Sequence, residues 1–147
     1  MNQGVLSTTD EAAARAWCAA YARTLLLRRI DVNRQPYLER YYAAGSSPSD
    51  GPSRGAMYLH HFVASDPVDA LHSHPWDWSI SLILVGGYRE MRCGPNGTLI
   101  VREFRPGHVN IITADDKHRI DLLESDCWTL FLAGIVRQPW RFSPDCT

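Results

Sequence analysis

The run Leu71-His72-Ser73-His74-Pro75-Trp76-Asp77-Trp78-Ser79 holds the greatest concentration of reactive side chains in this chain of 147 residues. Two histidines separated by one residue on a β-strand point to the same side, so the imidazoles of His72 and His74 can reach one point in space. Pro75 favours extended geometry at His74, which agrees with a strand. A third histidine, His118, follows much later. Because imidazole binds Zn, Fe, Ni and Cu, these histidines predict a divalent-metal site.

The sequence around this run predicts short β-strands separated by turn residues. Pro95-Asn96-Gly97 indicates a hairpin, because Asn-Gly tolerates the positive φ of a type I′ turn. Short, regularly spaced strands are typical of an all-β sandwich or barrel, and a jelly-roll barrel is the natural candidate. The predicted strands lie near residues 57–64, 70–74, 78–85, 88–93, 99–104, 109–113, 118–123 and 128–136.

The alanine-rich stretch near the start of the chain predicts a helix. Thr8 and Glu11 have the spacing of a capping box, and no Gly or Pro interrupts the sequence from there to Leu27. Apolar residues recur at helical spacing, so one stripe of this helix should pack on the rest of the domain. That stripe consists of Ala14, Trp17, Tyr21 and Leu25.

The length is sufficient for one domain with its own core. Residues 36–42 favour a strand because of their tyrosines, and residues 45–55, rich in Ser, Pro and Gly, favour a loop. We therefore expect residues 1–55 to supply a helix, a strand-like segment and a loop that pack on a barrel formed by residues 56–147.

The composition is that of an ordinary globular protein, with a formal net charge of -1 and 45% hydrophobic residues. No basic cluster supports nucleic-acid binding. No apolar stretch approaches the roughly 18 residues that a membrane span needs, and no secretory signal is recognised. Four scattered cysteines without a Cys-x-x-Cys pair favour free thiols in a reducing cytoplasm, with no disulfide. They are Cys18, Cys93, Cys127 and Cys146.

The spacing of these motifs resembles the cupin superfamily. Its first motif, His-x-His, four residues, Glu, six residues, Gly, is matched by His72, His74, Ser79 and Gly86. Its second motif opens with Pro-Gly and closes with a histidine, as do Pro106-Gly107 and His118. The match covers about the last two-thirds of the chain. More narrowly, the chain resembles small, uncharacterised bacterial and phage cupins of RmlC-like jelly-roll architecture with His-x-His-Pro-Trp.

One departure from the motif affects the metal chemistry. Ser79 replaces the superfamily's glutamate ligand, which leaves three neutral histidines. The resemblance to three-histidine sites of the thiol dioxygenase branch implies Fe(II) with open positions, while Zn, Ni or Mn are alternatives. Asp77 is a candidate fourth ligand. The favoured interpretation, however, is that Asp77 lies in a turn and that its side chain hydrogen-bonds to its own backbone.

Tyr88 and Glu90 are the candidate catalytic residues, because they lie on one face of a strand after the Gly86-Gly87 turn. If that face lines the barrel, Glu90 is a general acid or base; if it faces outward, Glu90 pairs with Arg89 or Arg102.

Three further assignments concern side chains around the site. Asp77 and Asp121 are candidates to orient the metal-binding imidazoles. Alternation does not decide which of His60 and His61 faces inward. Arg40 or Arg102 could anchor a substrate carboxylate.

Three functions are compatible with such a site. The first is an Fe(II)-dependent oxygenase acting on a small anionic or thiol-bearing metabolite. The second is a non-redox metal-dependent isomerase or lyase, and the third is a small-molecule-binding cupin without catalysis. In each case we expect a small-molecule ligand and a homodimer, since a barrel of this size leaves open sheet edges.

Overall fold

Eleven β-strands and one α-helix make up the computed structural model, which describes residues 8–67 and 69–146. In chain order they are α1 (Thr8–Ala22), β1 (Leu26–Val32), β2 (Gln35–Ala43), β3 (Ala56–Phe62), β4 (Leu71–Ser73), β5 (Trp78–Val85), β6 (Tyr88–Cys93), β7 (Leu99–Phe104), β8 (Val109–Thr113), β9 (His118–Leu122), β10 (Cys127–Ala133) and β11 (Arg141–Ser143).

The strands form two antiparallel sheets that face each other. The first sheet has the order β1-β2-β3-β10-β5-β8, and the second has the order β11-β4-β9-β6-β7. Strand β5 alternates between buried and less buried residues, as expected of a strand with one face toward a core. Apolar residues of both sheets fill the space between them, among them Phe62, Ile83, Tyr88, Phe104 and Ile120. The prediction of an all-β jelly roll with an N-terminal helix is confirmed.

All eight strands predicted from the sequence are present, and the tyrosine-rich segment near residue 36 forms β2. Strands β1 and β2 pair with each other, and β2 pairs with β3. The first 55 residues therefore contribute two strands to a sheet. The predicted turn also forms, with left-handed φ values of 62° at Asn96 and 73° at Gly97.

Helix α1 ends at Ala22, so its predicted extension to Leu27 is wrong. Leu26 and Leu27 pair instead with Tyr42 and Tyr41 on β2. Pairing with β2 has overridden the local preference for a helix. Short-range sequence patterns do not show this pairing, because the two strands are joined only in the folded sheet.

The apolar stripe of the helix is partly different from the predicted one. Trp17 is 59% exposed, so its assignment to the buried stripe is wrong. Cys18 and Ala22 are buried instead, against Leu59 and Trp128 on the outer face of the first sheet. None of the helices in the described ranges is long and apolar enough to cross a membrane.

Cys93 and Cys146 form a disulfide, so the expectation of four free thiols is wrong. Strand β11 pairs with β4 in the sheet that contains β6, and this brings the end of the chain to the end of β6. The two cysteines are 53 residues apart in sequence, and no local pattern connects them. Cys18 and Cys127 are free and buried. The cysteines therefore no longer argue for a reducing compartment.

Candidate metal centre and cavity

Three histidines from neighbouring strands of the second sheet converge on one point. His72 of β4 and His118 of β9 are direct partners across the antiparallel pair. His74 follows β4, and its Nε2 lies 2.8 Å from Nε2 of His118. The potential ligand atoms of the three residues all lie within 4.8 Å of one another. The three histidines that the sequence indicated are therefore brought together.

Carboxylates behind two of the rings hold them in place. Nδ1 of His118 lies 2.6 Å from Oε1 of Glu90. Nδ1 of His72 lies 3.3 Å from Oδ2 of Asp66. A neutral imidazole that donates from Nδ1 carries its lone pair on Nε2. Both rings are therefore held in the tautomer that can bind a metal through Nε2.

The charge states of the group follow from burial and these contacts. Burial lowers the pKa of His118, and burial together with the neighbouring His118 holds the pKa of His74 well below its ordinary value. Burial alone would raise the pKa of Glu90, but hydrogen bonds from His118 and two further side chains lower it to about 2. Near neutral pH these imidazoles are neutral and Glu90 is ionised, as a metal-binding histidine and its orienting carboxylate require.

The three nitrogens suit a first-row divalent metal. Tetrahedral Zn–N bonds would place the ligand nitrogens roughly 3.3 Å apart, so the 2.8 Å between His74 and His118 needs only a small displacement. Three neutral imidazoles suit Zn, Fe, Ni or Cu. Across residues 8–67 and 69–146, no second group of three His, Cys, Asp or Glu side chains lies close enough to share an ion.

Asp77, considered from the sequence as a fourth ligand, does not join the histidines. Its Oδ1 accepts a hydrogen bond from the N–H of Trp78 at 3.0 Å, which is the local contact of a turn residue. Ser79, at the position of the superfamily's glutamate, is buried in β5, and its hydroxyl donates to the carbonyl of Ile112 at 3.4 Å. The group of potential ligands therefore contains no carboxylate.

Neither Asp77 nor Asp121 orients a metal-site imidazole, so that expectation is wrong. The carboxylate of Asp121 accepts from Arg119 at 3.0 Å. The orienting residues are Asp66, on the loop before β4, and Glu90.

The three histidines line a cavity between the sheets. Its volume of about 250 Å³ can hold a small molecule. Much of its wall is aromatic or aliphatic, with Trp76 and Phe131 beside the histidines. Its polar side chains, apart from those histidines, include Arg28, Arg40, His60, Ser81, Tyr37 and Tyr88.

Tyr88 and Glu90 both lie on the inner face of β6, so the outward-facing alternative for Glu90 is wrong. Tyr88 lines the cavity. Glu90 is fully buried behind His118. Burial raises the pKa of Tyr88 well above its ordinary value, so its phenol stays protonated.

Further hydrogen bonds converge on Oε1 of Glu90, the carboxylate oxygen that also contacts His118. Arg92 Nη2 donates to Oε1 of Glu90 at 2.8 Å and to Oδ1 of Asn110 at 2.7 Å. Asn110 Nδ2 lies 2.9 Å from Oε1 of Glu90 and 3.0 Å from the hydroxyl of Tyr88. Glu90 is thereby fixed as the acceptor for His118.

Sequence analysis missed Asp66, Arg92 and Asn110. Arg92 alternates in phase with Tyr88 and Glu90, so strand periodicity could have placed it on the same face. Asp66 lies in a loop, where no periodic signal exists.

A second polar group lies on the first sheet, where His60 faces the cavity and His61 faces outward. Arg40 Nε donates to Nε2 of His60 at 3.1 Å. The Cζ atom of Arg40 lies 4.6 Å from the ring centre of Tyr58. Of the two arginines considered as carboxylate anchors, Arg40 lines the cavity, whereas Arg102 is exposed on β7.

The fold resembles those of several solved enzyme structures. DMSP lyase DddQ from Ruegeria pomeroyi aligns with a TM-score of 0.64 and 20% identity over 95% of this chain and 72% of that one. Oxalate decarboxylase of Bacillus subtilis, which has Mn(II) centres, aligns with a TM-score of 0.57 and 14% identity over 78% of this chain and 29% of that one. These are cupin-fold proteins. The chain has the cupin fold.

A further cupin, HppE with Fe(II) and an alternative substrate, aligns with a TM-score of 0.59 and 9% identity over 90% of this chain. The present chain spans 62% of the length of HppE. No protein family and no curated protein matches the sequence. At these identities the likeness establishes the cupin fold, and the function must be argued from the site.

Proposed function

We propose that this cupin is a metal-dependent enzyme, and specifically an Fe(II)-dependent oxygenase that acts on a small anionic or thiol-bearing metabolite. The observation that carries the proposal is the group of three histidines that opens into a small cavity and contains no carboxylate ligand. Such a ligand set leaves positions on the metal for both a substrate and a second reactant. The likeness to HppE, which was solved with Fe(II), supports this choice of metal.

His72, His74 and His118 would hold the ion, which would supply Lewis acidity and, as iron, redox chemistry. Asp66 and Glu90 fix the rings of two of these histidines. Glu90 is therefore a positioning residue and not the general acid or base expected from the sequence. Its role is to preserve the ring orientation and basicity of His118.

Tyr88 is the residue that we propose for direct contact with substrate. Its side chain lines the cavity, and Asn110 donates to its hydroxyl oxygen at 3.0 Å. Because the phenol stays protonated, it can donate a hydrogen bond to a substrate, but it is a poor base. The aromatic wall formed by Trp76 and Phe131 excludes water and strengthens electrostatic contacts with the ligand.

A non-redox lyase or isomerase is the second candidate. It is favoured by the protonated Tyr88 in the same cavity as the histidines. The likeness to DddQ, a lyase of which this chain covers 72%, also favours it. Binding of a small molecule without catalysis is the third candidate, because the cavity and polar groups would serve a binding protein equally well.

Metal content and oxygen consumption test these three candidates. Protein purified without added metal would be analysed for metals and then screened for oxygen uptake with thiols, amino acids and small keto acids. Iron with substrate-dependent oxygen uptake supports the oxygenase. Tight zinc or nickel without oxygen uptake supports the lyase or isomerase, and no metal after reconstitution supports the binding protein.

Alanine variants of the three histidines assign the metal to this site. His72→Ala, His74→Ala and His118→Ala should each lower metal content strongly. The exposed His108 offers a matched control, since His108→Ala should bind metal as the wild type does. Full metal content in His118→Ala would refute the three-histidine site.

We also propose that the chain forms a homodimer. Edge strands β7 and β8 expose apolar side chains, Leu99 and Val101 on the first and Val109 and Ile111 on the second. Light scattering at micromolar concentration should give twice the chain mass, and a monomer would refute this proposal.

A further inference from the structure

The last part of the chain forms a strap beside the cavity, here defined as residues 138–146, which is anchored at both ends. At its start, Nε2 of Gln138 donates to the carbonyl oxygen of His74 at 2.9 Å. At its end, Cys146 forms the disulfide with Cys93. Between these anchors lies β11, at the edge of the second sheet, where it pairs with β4.

The side chain of Trp140, within this strap, stands between the cavity and the solvent. Trp140 lines the cavity beside His72, with 5.5 Å between the two ring centres. It is also 41% exposed, so the same residue meets both the cavity and the solvent. The ring of Phe142 packs on that of Trp140, with 4.6 Å between the ring centres. Trp140 therefore forms part of the mouth of the cavity, next to a histidine of the candidate metal centre.

Non-covalent contacts hold the strap only weakly. Strand β11 has three residues, and the large side chains of Trp140 and Phe142 are both exposed. Segments with little buried apolar surface open at a low free-energy cost. The last residues of a domain are poorly ordered unless something ties them down. The disulfide is thus the tie that keeps the end of the strap, and with it Trp140, in place.

The two cysteines are held unequally by the rest of the fold. Cys93 ends β6, which pairs with both β7 and β9, and its N–H donates to the carbonyl of Lys117 at 2.9 Å. Cys146 lies beyond the end of β11. Both cysteines are partly exposed, so a small thiol reagent can reach the bond. Breaking the bond would therefore release the strap and leave Cys93 in its sheet.

We propose that the Cys93–Cys146 disulfide is a redox switch that holds Trp140 at the mouth of the cavity, and that a dithiol reductant opens it. One thiolate of the dithiol attacks the disulfide, forms a mixed disulfide and displaces one cysteine. The second thiol of the reductant then closes the reductant's own disulfide and displaces the other cysteine. The dithiol loses two electrons and two protons, and the two cysteines gain them. Control of a metal-dependent reaction by this switch rests on the proposed function, whereas closure of the mouth does not.

Chemical modification of His72 measures this closure without any metal. The full chain, treated with a chelator, would be reduced with dithiothreitol, capped with iodoacetamide and freed of both reagents. Diethyl pyrocarbonate would then modify accessible imidazoles, with rates assigned to each histidine by tandem mass spectrometry. We expect His72 to react at least about tenfold faster than in the oxidised protein, because loss of a disulfide restraint makes local opening more frequent. The exposed His108 is the internal reference, and equal rates at His72 would overturn the proposal.

Two buried thiols report whether the reduced protein stays folded. Cys18 and Cys127 are free and buried, so iodoacetamide reaches them only when the core opens. Capping confined to Cys93 and Cys146, together with faster reaction of His72, would support local opening of the strap. Capping of Cys18 and Cys127 as well would show that the whole domain opens, and this would overturn the proposal.

Trp140→Ala tests the mouth while the disulfide is intact. In the oxidised variant His72 should react about as fast as it does in the reduced wild type, and reduction should add little further. Trp17→Ala, at an exposed tryptophan of α1, is the matched control and should respond to reduction as the wild type does. If His72 stays as unreactive in oxidised Trp140→Ala as in the oxidised wild type, Trp140 does not cover the cavity and the proposal is wrong.

Zinc release separates the switch from the proposed function. A chelator should remove zinc from the reduced and capped protein faster than from the oxidised protein, because both the chelator and the ion pass through the mouth. Reductant-dependent reaction of His72 in protein that cannot be loaded with any metal would support the switch and refute the metal-dependent function. Metal binding with the same release rate and the same reactivity of His72 in both redox states would refute the switch and leave the metal-dependent function standing.

Discussion

Oε1 of Glu90 lies 2.6 Å from Nδ1 of His118, and Glu90 is completely buried. His118 closes the second cupin motif, and Glu90 lies on β6, a strand that carries no metal ligand. The contact explains why a carboxylate is retained at this site although none of the potential metal ligands is acidic. The carboxylate orients an imidazole from behind and leaves the coordination positions of the metal free.

Replacing Glu90 by glutamine should weaken metal binding by about 10- to 100-fold. The amide keeps the size of the side chain but removes the negative charge that favours donation from Nδ1 of His118. Competition with a chelator would measure the metal affinity. Glu103→Gln, at an exposed position of β7, is the matched control and should bind metal as the wild type does. Unchanged affinity in Glu90→Gln would show that the carboxylate does not support the site.

Gly86 should tolerate substitution much less well than Gly97, although both have a φ of 73°. A Cβ at Gly86 would overlap the backbone oxygen of Asp126, whereas a Cβ at Gly97 would meet nothing within 4 Å. Gly97→Ala should lower the free energy of unfolding by about 1 to 2 kcal/mol, the cost of a left-handed alanine. Gly86→Ala adds a backbone clash and should lower it further. Urea denaturation measures both, and equal losses would contradict this account.

Reduction should destabilise the protein through the Cys93–Cys146 disulfide. The bond links residues 53 apart in sequence, and the loop-closure estimate gives about 4 kcal/mol for a loop of that length. Cys146→Ser should therefore unfold at lower urea concentration than the oxidised wild type. The reduced wild type should approach the variant, and reductant should have little effect on the variant itself. A wild type indifferent to reductant would argue against the bond.

The metal-free protein should lose stability as the pH falls below about 6.5. Burial and the adjacent Arg40 hold the pKa of His60 well below its ordinary value, so the folded protein keeps His60 neutral. The unfolded chain binds a proton there near pH 6.5, which favours unfolding below that pH. The contribution of His60 is thus fully present above pH 6.5 and is lost at about 1.4 kcal/mol per pH unit below it.

His60→Gln tests this pH dependence. The free energy of unfolding of this variant should change less with pH between pH 6 and pH 5. Its slope should be smaller than the wild-type slope by the amount that the uptake of one proton on unfolding contributes. His108→Gln, at an exposed position, should keep the wild-type slope. Identical slopes in His60→Gln and the wild type would exclude His60 as the buried neutral group.

Local patterns in the sequence were sufficient for most of the strands, for one turn and for the shared direction of two of the metal-site histidines. Alternation places the side chains of His72 and His74 on one side of a strand whatever the rest of the chain does, because the period of a strand is two. Asn96-Gly97 determines its turn because those residues tolerate positive φ. The same short-range logic failed at Leu26 and Leu27, where the pairing with β2 produces a strand in place of the predicted helix.

Only the tertiary structure decided which strand faces point inward and which strands are neighbours. Alternation groups Tyr88 with Glu90 but does not say whether that face meets the core, since inverting a strand leaves its periodicity unchanged. The contacts of Asp66 with His72 and of Cys93 with Cys146, and the choice of Arg40 over Arg102, depend on segments far apart in sequence. Strand pairing and burial between the two sheets decide these contacts, because both are properties of how the strands pack and not of any one strand.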